Sequence, residues 1–184
     1  MRQAITLALF IVFPATTVFV AHGQVAPAAY RSGLSLSVGG EGSVFQPDYA
    51  GQGVAQTSPN RLYGIGAYVD ARFSRWVQLE AEGRWLRFNE YAGIGENTYL
   101  IGPRIPIHDF HGWTPYGKVL FGWGSGTSNW LDGRAFNIAF GGGVDYHLSR
   151  KLTIRAADFE YQDWRVTPTL RPYGGSAGIS YTIF

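Results

Sequence analysis

The sequence alternates apolar with small or polar residues at a period of two, and this pattern recurs in eight segments. A period of two places successive side chains on opposite faces of a β-strand, so each segment would have one apolar face. The last segment carries its apolar row on Ile179, Tyr181 and Ile183, just before the chain ends at Phe184. Such a row must face either a protein core or lipid.

The pattern predicts eight strands with one irregularity. In the seventh strand, Leu152 and Ile154 share one parity whereas Phe159 and Tyr161 have the other. One extra residue near 156–158 would restore the phase, which predicts a β-bulge there. The predicted strands run approximately over residues 32–44, 61–73, 76–88, 97–107, 113–124, 134–148, 151–162 and 174–184.

The connections between these strands alternate in length. Those after the second, fourth and sixth strands are short, whereas the others are longer and rich in Gly, Pro, Ser, Asn and Thr. Short turns on one side and long loops on the other are the layout of outer-membrane barrels, with the turns in the periplasm. No sustained helical pattern competes. The sequence therefore predicts an all-β fold, an eight-stranded antiparallel up-and-down transmembrane β-barrel.

The N-terminal residues predict export. Arg2 gives a positive start, an apolar run follows over 4–20, and small residues at Ala21 and Gly23 suit a signal peptidase. We predict a signal peptide over 1–23 and a barrel domain over 24–184. The chain has no cysteine and a formal net charge of +2 without a basic run, so neither a thiolate site nor a nucleic-acid partner is expected. No cofactor is predicted.

Tryptophans occur near both ends of the predicted strands. Trp76 and Trp113 follow short turns, whereas four others lie toward the long loops: Trp85, Trp123, Trp130 and Trp164. Amphipathic rings at two levels are typical of the two interfaces of a bilayer. We therefore predict that Trp76, Trp85, Trp113 and Trp123 are interfacial aromatics.

The residues that alternate with the apolar rows include many charged side chains. Eight strands enclose an interior just wide enough for side chains, so opposite charges there should pair and fill the lumen. The sequence predicts a salt-bridged plug rather than an open pore. The predicted lumen ion-pair network consists of Asp70, Arg72, Glu80, Glu82, Arg84, Arg104, Lys118, Asp145, Arg155, Asp158 and Glu160.

The eight segments, the alternating connections and the closing strand at 178–184 together resemble the outer-membrane protein A and X type barrel domain. In that family the barrel-assembly machinery reads a C-terminal aromatic strand, and the resemblance implies this role for Tyr181 and Phe184. Phe184 departs from the outward parity of Tyr181. The resemblance also implies a monomer in the outer membrane, surrounded by its lipids and open to surface partners through its long loops.

Two alternatives to a non-enzymatic membrane barrel remain. A secreted, soluble, lipocalin-like barrel would place the charged parity outside and an apolar ligand inside. His147 and Ser149, with Glu160 downstream, resemble the arrangement of the outer-membrane lipid A deacylases. A serine nucleophile needs a histidine base within hydrogen-bond reach, however, and Ser149 falls in a short turn.

One short turn contains residue types that bind metals. His108, Asp109 and His111 offer three donors within four residues, but no fourth ligand is evident. A turn of this length rarely directs three side chains to one point. We therefore expect a solvated turn and no metal.

Overall fold

The computed structural model describes residues 33–48, 61–89, 95–127, 133–167 and 169–184. Eight antiparallel strands form a closed barrel in which each strand pairs with its neighbours in chain order. No helix within these ranges is long and apolar enough to cross a membrane. The predicted fold class is confirmed. The strands are β1 Ser35–Gln46, β2 Leu62–Arg72, β3 Gln78–Phe88, β4 Gly95–Pro106, β5 Trp113–Thr127, β6 Gly133–His147, β7 Leu152–Arg165 and β8 Tyr173–Thr182.

The predicted signal peptide over 1–23 lies outside the described residues, as do most residues of three long connections, over 49–60, 90–94 and 128–132. The three short turns, at 73–77, 107–112 and 148–151, meet at one end of the barrel, which we call the short-turn end. The opposite end is the long-loop end.

The barrel closes where the first strand meets the last. β1 and β8 pair from Ser37 opposite Thr182 to Gln46 opposite Tyr173. The pairing continues past β8, because the Ile183 N–H donates to the Leu36 carbonyl at 2.8 Å and the Leu36 N–H donates to the Phe184 carbonyl at 3.1 Å. Closure leaves no strand edge with unpaired backbone groups.

The predicted bulge in β7 is confirmed. The register against β8 shifts between Arg155 and Asp158, and Ala156 is skipped in the pairing with β6. The extra residue restores the alternation, since Asp158 is 3% exposed and Phe159 is 56% exposed. β5 and β7 also extend three residues beyond their predicted ends, because backbone pairing continues where the apolar alternation stops.

The two faces of the barrel wall have opposite polarity. Large apolar side chains cover the outside, and Ile65, Ile101, Phe140 and Ile179 are each half or more exposed. Charged side chains fill the inside and are buried. A lipocalin-like carrier needs the reverse, an apolar lumen and a polar exterior, so the hypothesis of a soluble ligand-binding barrel is wrong.

Candidate functional site

Eleven charged side chains, each at most 12% exposed, contact one another inside the lumen, and we call them the charged cluster. They comprise seven carboxylates and four bases, and seven of the eight strands contribute. Inward parity brings these residues together in the interior of the barrel. The members are Glu41, Asp70, Glu80, Glu82, Arg84, Arg104, Lys118, Asp145, Arg155, Asp158 and Glu160.

Six members form a closed ring in which acids and bases alternate. Each base bridges two carboxylates: Arg84 contacts Glu41 at 3.2 Å and also contacts Glu82. Alternating charges in a low-dielectric interior attract around the whole ring, and the extra hydrogen bonds offset part of the desolvation cost. In order, the ring runs Glu41, Arg84, Glu82, Lys118, Asp158 and Arg155, and back to Glu41.

Lys118 contacts four carboxylates of the charged cluster, as many as Arg155 does. Its Nζ lies 2.9 Å from Glu80, 3.1 Å from Glu82 and 2.7 Å from Glu160, and it also donates to Asp158. An ammonium group has three protons, so four carboxylate neighbours exceed what it can hydrogen-bond at once. Lys118 therefore holds together carboxylates that would otherwise repel one another.

A second group of ion pairs lies toward the short-turn end. The Arg104 guanidinium donates to Asp70 at 3.0 Å and also to Asp145. It sits 3.6 Å from the centre of the Tyr116 ring, and the Arg155 guanidinium lies equally close to the Tyr68 ring. Stacking on aromatic faces lets a guanidinium stay charged where water is excluded.

Apolar residues occupy the lumen on the long-loop side of the cluster. On β1, Phe45 lies nearer that end than Glu41, and on β7, Trp164 lies nearer it than Glu160. They form three clusters and leave little of their surface to water, so the charged cluster is covered from this side. The clusters are Phe45, Leu62 and Leu86; Leu100, Leu120 and Ala139; and Ala135, Trp164 and Leu170.

The structure places ten of the eleven predicted lumen residues in the charged cluster. Arg72 was wrongly included: it is the last residue of β2 and its side chain is exposed at the barrel mouth. Glu41 was missed because glycines at 39, 40 and 42 hide the apolar alternation around it. The outward parity of Leu36 and Val38, extended along β1, would have placed Glu41 inside.

Three carboxylates of the ring have the spacing of a possible metal site. One oxygen from each of Glu41, Glu82 and Asp158 lies within 4.8 Å of the others. A base bridges every pair, however: Arg84 the first two, Lys118 the second two, and Arg155 the remaining pair. The positive charges beside these three carboxylates are therefore the side chains of Arg84, Lys118 and Arg155.

The tryptophans divide between the two faces. Trp76, Trp113 and Trp123 are exposed on the outside, and Trp85 is half-buried with its Nε1 donating to the Tyr99 hydroxyl at 2.9 Å. Trp164, which also lies toward a long loop, is on the inward parity of β7 and is 3% exposed, whereas Trp130 lies outside the described residues. The Nε1 of Trp164 donates to the Gln162 side chain at 2.8 Å, which satisfies the buried indole.

The residues of the hydrolase hypothesis do not meet. The two ring nitrogens of His147 lie at 3.0 Å from the Thr153 hydroxyl and 3.2 Å from the Thr114 hydroxyl. The Ser149 Oγ accepts the Leu152 N–H at 3.1 Å, as a turn residue does, and Glu160 pairs with Arg84. His147, Ser149 and Glu160 therefore do not form the connected nucleophile, base and carboxylate that a serine hydrolase needs.

The turn at 107–112 uses its carboxylate locally. Asp109 accepts the Gly112 N–H and the Thr114 hydroxyl, each at 3.1 Å. The backbone hydrogen bond from Gly112 holds the pKa of Asp109 below its usual value. The carboxylate therefore stabilises the turn, and the neighbouring His108 ring packs edge-on against Phe110.

The outer membrane protein beta-barrel domain family matches residues 12–182 of this chain. The chain belongs to this family. Its outside is accordingly the lipid-facing surface of a bacterial outer-membrane protein, and the exposed apolar side chains of the barrel wall lie against outer-membrane lipids.

Solved structures show the same fold at low sequence identity. Neisserial surface protein A superposes with a TM-score of 0.55 at 13% identity, over 82% of this chain and 97% of that one. The outer membrane protein OprG of Pseudomonas aeruginosa gives 0.54 at 11% identity, over 82% and 95%. AlkL gives 0.52 at 13% identity, over 81% and 90%. No curated protein matches this outer-membrane barrel in sequence.

Proposed function

We propose that this outer-membrane barrel is a closed, non-enzymatic protein that supports the envelope or contacts surface partners through its long loops. The observation that carries this proposal is the lumen, where the charged cluster fills the interior and apolar residues cover it on the long-loop side. An ion crossing the barrel would have to break several buried ion pairs. The barrel therefore serves as an anchor rather than a pore.

The proposed orientation follows from the connections. Short turns in the periplasm and long loops at the cell surface are the usual layout of such barrels. The long loops are then the part of a monomeric barrel that reaches partners outside the cell.

Electrical recording tests the closed lumen. The protein in planar bilayers is expected to give no large, steady conductance. Replacing both Arg84 and Glu160 with serine removes a buried ion pair of 2.9 Å and should raise the conductance. The matched control is the serine replacement of Asp163 and Arg165, a pair at 3.3 Å outside the lumen near the long-loop end, in which Arg165 is exposed and Asp163 is half-buried. A large, steady conductance from the unaltered protein would contradict the proposal.

We further propose that the barrel-assembly machinery reads the closing strand through Tyr181 and Phe184. Tyr181 is half exposed on the outside of β8. Phe184 accepts a hydrogen bond from β1 through its backbone carbonyl, and its side chain does not share the outward parity of Tyr181. The aromatic that the machinery can reach from the lipid side is thus Tyr181.

A tyrosine replacement separates this signal from general packing. Tyr181→Ala is expected to lower the amount of folded barrel in cells several-fold while leaving refolding into detergent nearly unchanged. Heat-modifiable migration on a gel measures both. The control is Tyr161→Ala, an outward tyrosine of β7 that is 40% exposed. Equal losses for both variants in cells would contradict a signal, and unchanged assembly after deletion of Phe184 would remove that residue from it.

A further inference from the structure

The charged cluster has more acids than bases. Seven carboxylates face four bases, so full ionisation would leave an excess of three negative charges in the lumen. Each of these side chains is at most 12% exposed. A buried charge without compensation is unstable in a low-dielectric interior and tends to become neutral.

No further base among the described residues compensates this excess. The inward side chains of β8 are small or carry hydroxyl groups, namely those of Ser176, Ser180 and Thr182, and none of them is a base. Arg72 and Arg150 are exposed at the short-turn end, where water solvates them. The phenols of Tyr68 and Tyr116 carry no positive charge. The ring nitrogens of His147 contact threonine hydroxyls rather than carboxylates of the cluster. Glu96, which is buried toward the long-loop end, is itself an acid.

Some carboxylate oxygens of the cluster also lack hydrogen-bond partners. Oδ1 of Asp70, of Asp145 and of Asp158 are buried and accept no hydrogen bond. A protonated carboxyl would carry its proton on such an oxygen and could donate it to a neighbouring carboxylate.

Water reaches the cluster from the short-turn end. A cavity of about 110 Å³ lies there, lined by Asp70, Arg104 and Asp145, by several hydroxyl groups, and by His147 and the solvated bases Arg72 and Arg150. The side chains of Asp70 and Asp145 are 11% and 12% exposed, whereas those of the other nine members are at most 4% exposed. The two aspartates therefore connect the interior with solvent.

We propose that the charged cluster is a proton-binding site, which holds about three protons and exchanges them through the cavity at the short-turn end. The ligand is the proton itself rather than a metal ion, because a base already bridges every pair in the carboxylate triangle of Glu41, Glu82 and Asp158. The folded barrel then binds more protons than the unfolded chain, whose carboxyls are ionised at neutral pH.

Proton binding in the folded state has a defined consequence for stability. Because the folded state would hold the extra protons, unfolding releases them and the barrel becomes less stable as the pH rises. The unfolding equilibrium constant is expected to rise up to about tenfold per pH unit for each proton bound. Stability that is flat or rises between neutral and alkaline pH would overturn the proposal.

Potentiometric titration measures the protons directly. The full chain folded in detergent is compared with the same chain unfolded in urea, and the folded barrel is expected to bind about three more protons near neutral pH. The titrations are run in sodium chloride with a chelator and in calcium chloride. The proposal is overturned if the folded barrel binds no more protons than the unfolded chain. It is also overturned if a bound sodium or calcium ion takes the place of the protons.

Variants assign the protons to the cluster. Glu82→Gln removes one buried acid and is expected to lower the excess by about one proton. The control Asp163→Asn changes a half-buried carboxylate outside the charged cluster and is expected to leave the excess unchanged. If Glu82→Gln does not fold, Asp145→Asn makes the same change beside the cavity. The infrared absorption of protonated carboxyls, which is expected in the folded wild type, should be weaker in the two amide variants. If both variants bind as many excess protons as the wild type, the assignment to the cluster is wrong.

Discussion

Lys118→Met is expected to lower the free energy of unfolding by about 3–5 kcal/mol, the usual range when one partner of a buried ion pair is removed. The reason is the number of acids that depend on this one ammonium group. Its Nζ contacts Glu80, Glu82, Glu160 and Asp158, and methionine fills a similar volume without charge. Urea unfolding of the barrel in detergent, followed by gel mobility or tryptophan fluorescence, measures the loss.

Lys151→Met is the matched control for that experiment. Lys151 is an exposed turn residue whose Nζ lies 5.6 Å from the Tyr181 ring centre, so its loss should change stability by less than about 1 kcal/mol. Similar effects for the two replacements would mean that the interior ion pairs do not hold the barrel together.

Gly122→Ala is expected to destabilise the barrel by about 1–3 kcal/mol, because a methyl group has no room at this inward position of β5. A Cβ built on Gly122 would lie 2.0 Å from the Tyr99 carbonyl oxygen of β4. A backbone atom cannot rotate away as the end of a side chain can, so the two strands must separate. The measurement is again urea unfolding in detergent.

A second glycine of the same strand provides the control. Gly117 faces outward, and a Cβ built there would have no atom within 4 Å. Gly117→Ala should therefore be neutral or slightly stabilising, since alanine restricts the unfolded chain more than glycine does. A loss in Gly117→Ala as large as in Gly122→Ala would show that strand propensity, rather than the close approach of β4 and β5, sets the cost.

Much of the barrel can be predicted because a single periodicity indicates both where the strands lie and which side chains point inward. Alternation at a period of two gave all eight strands, and its phase change located the bulge beside Asp158. It fails where the alternating residues are not distinctive. Glu41 stands among glycines, Arg72 shares the inward parity but lies at the strand end, and Trp164 is an aromatic on the inward side.

The pairing inside the lumen could not be predicted from the sequence. Parity states which side chains point inward, but contacts across the barrel depend on strand tilt and on the stagger of neighbouring strands. Arg84 meets Glu160 across 76 residues of sequence, and Arg155 meets Glu41 across 114. No local pattern encodes such partners. The balance of seven acids and four bases depends on Glu41 lying inside the lumen and on Arg72 lying outside it.

The alternating ring of six charges draws its members from β1, β3, β5 and β7 and from no other strand. No single hairpin contains two of these four strands, so a growing sheet cannot complete the ring until its far edges come together. Contacts this distant in sequence form late in folding, after the entropy of closing the long loops between them has been lost. The ring therefore favours a finished barrel of eight strands over a sheet that lacks a hairpin, in which several of its charges would have no partner.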